Sequence, residues 1–407
     1  VATHTRLPHL HSPFLNAVRK SGLLTPDDLI SVLADAGVDP TTTDPLQVAA
    51  LLVRKKLLTK FQAMQLLNGR THGFVLEHYK ILDGIRQDRV GMVFKAEDTQ
   101  AKQLVSLKVL PTDRASDPTI LQAFMHEVRA AAKVDHPAVA RVLDIGYWQG
   151  THFVVSEYVA GPTLDKIVAE KGPLVPHAAA QLIAQTAVGL MHAHQCGLIH
   201  RDVKPGNIVL MPERRIKLID LGLTHMLESP WARVTKRIST KEYADEIAHI
   251  APEQAWGCEM DARSDVYSLG STFYYLLTGQ VPFPGLAPEM MAERQIRGVP
   301  SPARLRPGIP KELDTIVQRM GAKDPHVRLQ SAREVVVALS SWLPVAQWQA
   351  LGISADEVKP PEVARTAMAA ALSPAMIAKA KAKARADAAA PARKGGLWAF
   401  LRRLLGR

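Results

Sequence analysis

The run His200-Arg201-Asp202-Val203-Lys204-Pro205-Gly206-Asn207 decides how the rest of the chain is read. It follows an apolar helical stretch and leads into Ile208-Val209-Leu210. A carboxylate fixed on a short loop can accept the proton of a hydroxyl, and Asp202 has that position. A hard divalent cation needs oxygen ligands, and Asn207 supplies one five residues later. Leu218-Ile219-Asp220-Leu221-Gly222 follows, placing a second oxygen ligand, Asp220, thirteen residues beyond Asn207. Ala251-Pro252-Glu253 comes next in the same direction.

Upstream of this run the pattern is short and β-like: YKILDGI from Tyr79, GMVFKAED, LVSLKVL, VARVLDIG and THFVVSEYV. One helical stretch, Ile120 to Val134, interrupts it. Beyond Ala178 the chain reads as largely helical to about Leu343. A β-rich part followed by an α-rich part makes an α+β fold of two lobes with a crevice between them.

Before the strands, residues 13–70 form a small helical unit. Thr25-Pro26-Asp27-Asp28 has an N-cap, a first-turn proline and acids ahead of Leu29, Ile30 and Leu33. Asp44-Pro45 starts a second helix, and Thr59 caps a third that ends at Asn68-Gly69. A unit of this size is marginal as an independent core, so it is expected to dock on a partner surface that the sequence does not name. The expected divisions are 1–72 for the helical unit, 73–343 for the bilobal part, 344–394 for an Ala/Lys/Arg-rich linker and 395–407 for a terminal helix. In LWAFLRRLLGR, Leu397, Phe400, Leu401, Leu404 and Leu405 have helical spacing beside Arg402, Arg403 and Arg407. That end reads either as a weak peripheral membrane contact or as a face packed on the protein itself.

The 407 residues suggest two or three domains, and 47% apolar content allows a substantial core. The formal charge is +11, but Pro344 to Arg407 has eleven basic and four acidic residues, so most of the surplus lies in the tail. A specific nucleic-acid-binding surface is therefore not expected. Two cysteines, Cys196 and Cys258, build no disulfide framework, which fits a reducing, cytoplasmic setting. No secretory signal is read in VATHTRLPHLHSPF. The charge-free stretch Val335–Ala355 reads as a buried helix end followed by linker rather than a membrane span.

Taken together, these motifs resemble the eukaryotic-type (Hanks-type) serine/threonine protein kinases, particularly the bacterial ones, over roughly Tyr79 to Leu343. The leader ending in LLTKFQAMQLLNGR is similar to that of planctomycete kinases. The resemblance implies the bilobal kinase fold, ATP and Mg²⁺ as cofactors, and a protein hydroxyl as acceptor. It implies Asp202 as the base and Lys204 as a cation on the γ-phosphate. Lys108 would hold the α- and β-phosphates and pair with Glu127, while Asn207 and Asp220 would hold magnesium. Glu157 and Val159 would bond adenine through their backbone, beside Ser156, with Ile85, Val93 and Val209 sandwiching the base. Glu253 would pair with Arg328, and Asp265 would brace the catalytic loop. Arg201 beside Asp202 implies a phosphate-ordered activation segment, with Thr235, Ser239 or Thr240 as the modified hydroxyl.

Two stretches depart from the family pattern. In the phosphate-covering loop, Arg86, Asp88 and Gly91 stand where three glycines are usual, so only Gly91 remains. Asp88 opposes the triphosphate unless Arg86 or Arg89 compensates, at a loss of about tenfold to a hundredfold in affinity. Before Ala251-Pro252-Glu253, Asp245-Glu246 replaces Gly-Thr and His249 replaces an aromatic residue. The reading is thus an attenuated, self-phosphorylating kinase, with a nucleotide-binding scaffold without turnover as the alternative. It requires six polar side chains, among them the Lys108–Glu127 pair, to converge on one triphosphate.

Overall fold

The structure is a computed structural model that describes residues 12–39, 43–87, 91–110, 117–221, 247–255, 257–285 and 287–354. The expectations for Asp88 and Arg89, for Thr235, Ser239 and Thr240, for Asp245 and Glu246, and for 395–407 lie outside them.

The helical unit comprises α1 (Pro13–Ser21), α2 (Pro26–Asp35), α3 (Pro45–Arg54) and α4 (Lys60–Leu67). Three start where the sequence signals them. Thr25 Oγ1 accepts from the Asp28 amide at 3.2 Å, and Asp44 Oδ1 from the Leu46 amide at 3.2 Å. Thr59 and Gln62 close a reciprocal capping box. Helix α1 opens the unit at the expected residue 13, starting on Pro13 and ending at Gly22, whose φ of 72° suits a residue without Cβ. Phe14, Leu15, Leu29, Leu33, Val48, Leu52, Leu66 and Phe74 form the unit's own core.

The N-lobe is a six-stranded antiparallel sheet in the order β1-β2-β3-β4-β6-β5: β1 (Val75–Leu76), β2 (Tyr79–Gln87), β3 (Met92–Asp98), β4 (Gln103–Val109), β5 (Val142–Trp148) and β6 (Thr151–Glu157). Ile81, Phe94, Ala96, Val105, Leu107, Phe153 and Val155 bury its inner face. Helix α5 (Pro118–Ala131) packs Phe124 and Val128 against Val142 and Val154. The surface on which the helical unit docks is the sheet, with α4 lying on β2.

The C-lobe contains α6 (Leu164–Lys171), α7 (Pro176–Gln195), the hairpin β7 (Ile208–Leu210) and β8 (Ile216–Leu218), then α8 (Pro252–Ala255), α9 (Ala262–Thr278), α10 (Ala287–Ile296), α11 (Lys311–Met320) and α12 (Ala332–Ala338). Between Ala179 and Leu190 every residue of α7 is buried, with the three polar ones, Gln181, Gln185 and Thr186, each hydrogen-bonded. Helices α9 and α11 approach so closely at Gly270 that a Cβ there would lie 2.6 Å from the Met320 Cβ. Among the described residues no helix is long and apolar enough to cross a membrane.

The expected boundary at Leu343 is too early. Residues 344–353 are not linker: α13 (Val345–Ala350) buries Trp348, and Leu351 and Ile353 are buried after it. The Leu351 carbonyl lies 3.1 Å from His136 Nε2, which ties this segment to the loop before β5. A charge-free stretch can be linker or core, and here three large apolar side chains place it in the core.

Trp348→Ala is expected to destabilise the chain by about 3–5 kcal/mol, the usual loss for a buried aromatic side chain. Urea denaturation of the two proteins measures it, and a chain ending at Leu343 should be less stable than one ending at Ile353.

Candidate active site

Residues 200–207 form the loop between α7 and β7, and three neighbours hold its backbone in place. Asp265, fully buried on α9, accepts from the His200 amide through Oδ2 and from the Arg201 amide through Oδ1, each at 2.8 Å. Gln254 of α8 donates to the Arg201 carbonyl at 2.6 Å. The His200 ring meets the Ile219 carbonyl at 3.0 Å, joining the loop to the segment after β8. Arg201 has a φ of 66°, an uncommon conformation for a non-glycine residue, held here by bonds on both sides of it.

On this frame Asp202 Oδ2 accepts from Lys204 Nζ at 2.8 Å and from Asn207 Nδ2 at 2.9 Å. The same Asn207 nitrogen bonds the Asp202 carbonyl at 2.8 Å, so the loop closes on itself. With its amide nitrogen committed to Asp202, Asn207 has its carbonyl oxygen to offer a cation. Asp220 also has a φ of 66°, immediately beyond Ile219. A carboxylate and an amide oxygen are a donor set that suits magnesium, which keeps few protein ligands and completes its shell with water and phosphate.

The cations do not pair as the resemblance implies. Lys108, buried on β4, reaches Asp220 Oδ2 at 3.4 Å. The Glu127 carboxylate on α5 meets the Arg201 guanidinium instead. This differs from the expected Lys108–Glu127 pair; the segment with Thr235, Ser239 and Thr240, which Arg201 was expected to face, lies outside the described residues. Arg86, at the end of β2, bonds Asp220 Oδ2 and donates to the Gly206 carbonyl at 3.1 Å. In the sequence it stands where a loop glycine is usual and offers a counter-charge to Asp88. Burial by itself would raise the Asp220 carboxyl, but Lys108 and Arg86 outweigh it and hold the group well below the carboxylate range. At Glu127 the balance is reversed: burial raises the carboxyl, and Arg201 offsets only part of that.

Val93 and Val209 are buried, as a sandwich for a flat base requires, whereas Ile85 is 41% exposed. Glu157 and Val159 are half-buried where β6 leaves the sheet. The Glu157 amide bonds the Arg141 carbonyl at 2.8 Å and its carboxylate meets Lys217 at 2.5 Å, which anchors this crossing to β8. Gly91 precedes β3, and Ser156 pairs with Ser106 of β4.

Beside Lys204 a cavity of about 460 Å³ is lined by Asp165, Gly206, His249, Tyr275 and Val281. His249 is buried, with Nδ1 3.0 Å from Ser271 Oγ and its ring edge-on to Tyr275. Burial, helped by the Arg294 and Lys204 charges, pushes its pKa down to about 3, so it is neutral at ordinary pH. It fills the position of the missing aromatic residue as an aromatic, uncharged ring.

Glu253 and Arg328 meet, and Asp265 bonds the loop backbone, as the resemblance implies. Arg328, buried after α11, holds Glu253 by two bonds at 2.7 and 2.8 Å. His194, which sequence reasoning missed, contacts Asp265 Oδ2 at 2.8 Å. Its only signal was its position at the end of α7, six residues before His200.

A family model described as "Protein kinase domain" matches residues 79–339. The chain is 39% identical over 248 residues to the serine/threonine-protein kinase PknB of Mycolicibacterium smegmatis, covering 60% of this chain and 39% of that protein. It is 33% identical over 258 residues to the serine/threonine-protein kinase PrkC of Bacillus subtilis, covering 63% and 39%. The chain thus spans about two fifths of the length of these relatives. Among solved structures, the PknI kinase domain of Mycobacterium tuberculosis is similar at a TM-score of 0.54 and 26% identity, covering 66% of this chain and 97% of that one.

Two site carboxyls make stability depend on acid. Burial alone would raise Glu253, but its bonds to Arg328 hold it below 4.5. Burial would likewise raise Asp265, but His194 and His200 hold it below 3.8. Folded-state values below the unfolded ones mean that this stability is complete above about pH 5 and is lost as pH falls through and below about 4. Urea midpoints measured from pH 7 to pH 3 should fall in that window. At neutral pH, Arg328→Leu should cost about 3–5 kcal/mol by leaving Glu253 buried without its cation.

Proposed function

The chain belongs to the protein kinase family, and from that premise we propose that it transfers the γ-phosphoryl group of ATP to a serine or threonine hydroxyl of a protein. The observation that supports this most is the closed loop in which Asp202, Lys204 and Asn207 bond one another. Asp202 orients the acceptor hydroxyl and takes its proton. Lys204, beside that carboxylate, draws negative charge from the transferred group. Lys108 supplies a second cation on the opposite wall of the cleft. Asn207 and Asp220 provide the oxygens for a divalent cation, which when bound would neutralise phosphate charge. Val93 and Val209 cover the base, and Glu157 and Val159 offer it backbone groups. The acceptor chain approaches through the cavity beside Lys204. We read residues 86–91 as a phosphate-covering loop that has exchanged glycines for Arg86 and Asp88.

A scaffold without turnover has one observation in its favour, the engagement of Asp220 by Arg86. Radiolabel transfer from γ-labelled ATP with Mg²⁺ to the chain itself and to a generic protein acceptor separates the two. Transfer should be measurable and should fall at least about a hundredfold in Asp202→Asn, the scale of a lost general base. Thermal stabilisation by ATP and Mg²⁺ with no transfer in either protein supports the scaffold instead.

A further inference from the structure

Strand β2 departs twice from regular pairing with β3. Its register shifts between Ile81 and Asp83 and again between Gly84 and Arg86, so Leu82 and Ile85 are extra residues. Bulges of this kind re-aim side chains and leave backbone groups outside the ladder. Helix α4 takes up those groups. Thr59 Oγ1 donates to the Leu82 carbonyl at 2.6 Å, and Gln62 Nε2 to the Ile81 carbonyl at 2.5 Å. These are the two residues that cap α4, so the start of that helix and the first bulge are fastened together. Phe61, between them in sequence, lies over Gly84, where a Cβ would meet its Cε2 at 3.2 Å. The second bulge follows at once, and the next residue is Arg86, whose guanidinium bonds Asp220.

Two positive groups therefore compete for one site. A divalent cation needs the Asp220 carboxylate, and Arg86 already engages it. The pairing of Lys108 with Asp220 and of Glu127 with Arg201 belongs to the same arrangement, because each acid has taken a cation other than the one the nucleotide-binding state uses.

We infer that Arg86 is a built-in competitor of the divalent cation at Asp220, and that the N-terminal helical unit sets the strength of that competition through its hold on β2. The inference rests on the nucleotide site proposed above. A metal–nucleotide complex selects the arrangement with Arg86 withdrawn, and the contacts of α4 with Ile81, Leu82 and Gly84 favour the arrangement with Arg86 engaged. Linkage makes the effect reciprocal: metal–nucleotide binding weakens the hold of α4 on the strand.

The test uses the full chain, a non-hydrolysable ATP analogue and Mg²⁺ titrated at fixed analogue, with binding read by calorimetry and thermal stability. Arg86→Ala should lower the Mg²⁺ concentration for half-saturation about tenfold, the factor that goes with one lost charge-assisted hydrogen bond. Arg86→Lys, which retains a cation, should lower it less. The double variant Thr59→Val/Gln62→Leu should lower it in the natural background and leave it unchanged when Arg86→Ala is also present. Gly84→Ala approaches the same interface from the strand without touching the core of the helical unit, and should act in the same direction. One shared Mg²⁺ midpoint for every variant overturns this inference alone. An equal shift from the α4 variants with and without Arg86 overturns the coupling. An analogue that binds no variant at any Mg²⁺ concentration overturns the kinase reading, and this inference with it.

Discussion

The whole site depends on one buried carboxylate. Asp265 has no contact with solvent, and a charge so placed is tolerated only when donors surround it. The His200 and Arg201 amides and the His194 ring are those donors. Because two of them are consecutive backbone groups, satisfying the carboxylate also determines the path of the chain through Arg201. Asp202 then emerges in the one direction that lets Lys204 and Asn207 close on it. The packing of α9, tight enough to require a glycine against α11, thereby becomes the position of the reactive group.

A second constraint is the allocation of charge across the cleft. Beside the Asp202–Lys204 pair, the described acids Glu127 and Asp220 are held by Lys108, Arg86 and Arg201. Partner exchange among them decides whether Asp220 can receive a metal. In the observed arrangement the N-lobe cations lie on Asp220 and the C-lobe cation lies on Glu127. Each lobe is thus tied to the other by ion pairs that a bound triphosphate would have to rearrange.

The helical leader is part of this balance rather than an appendage. Its core is small, and its last helix is completed by carbonyl groups of the sheet. Those carbonyls are available because β2 is bulged, and the same bulges direct Arg86. Docking, strand irregularity and cleft occupancy are three aspects of one local geometry.

Much of this was legible in the sequence, for a physical reason. Caps, strand alternation and the 200–207 loop are governed by neighbours within a few residues, so Thr25, Asp44 and Thr59 announced their helices. Asp202, Lys204 and Asn207 were legible as one short polar loop, though not their bonds to one another. The Glu253–Arg328 and Asp265 contacts were legible through family resemblance, since ordered motifs imply a shared frame. The role of residues 344–353, the contact of His194 and the partners of Arg86 and Glu127 were not. Arg86 and Asp220 are 134 positions apart, and Glu127 and Arg201 are 74 apart. The sequence by itself determined which charged groups line the cleft. Only the tertiary structure decided which of them touch, because ion pairing falls off with distance through space, and that distance is set by how the two lobes and the leader pack.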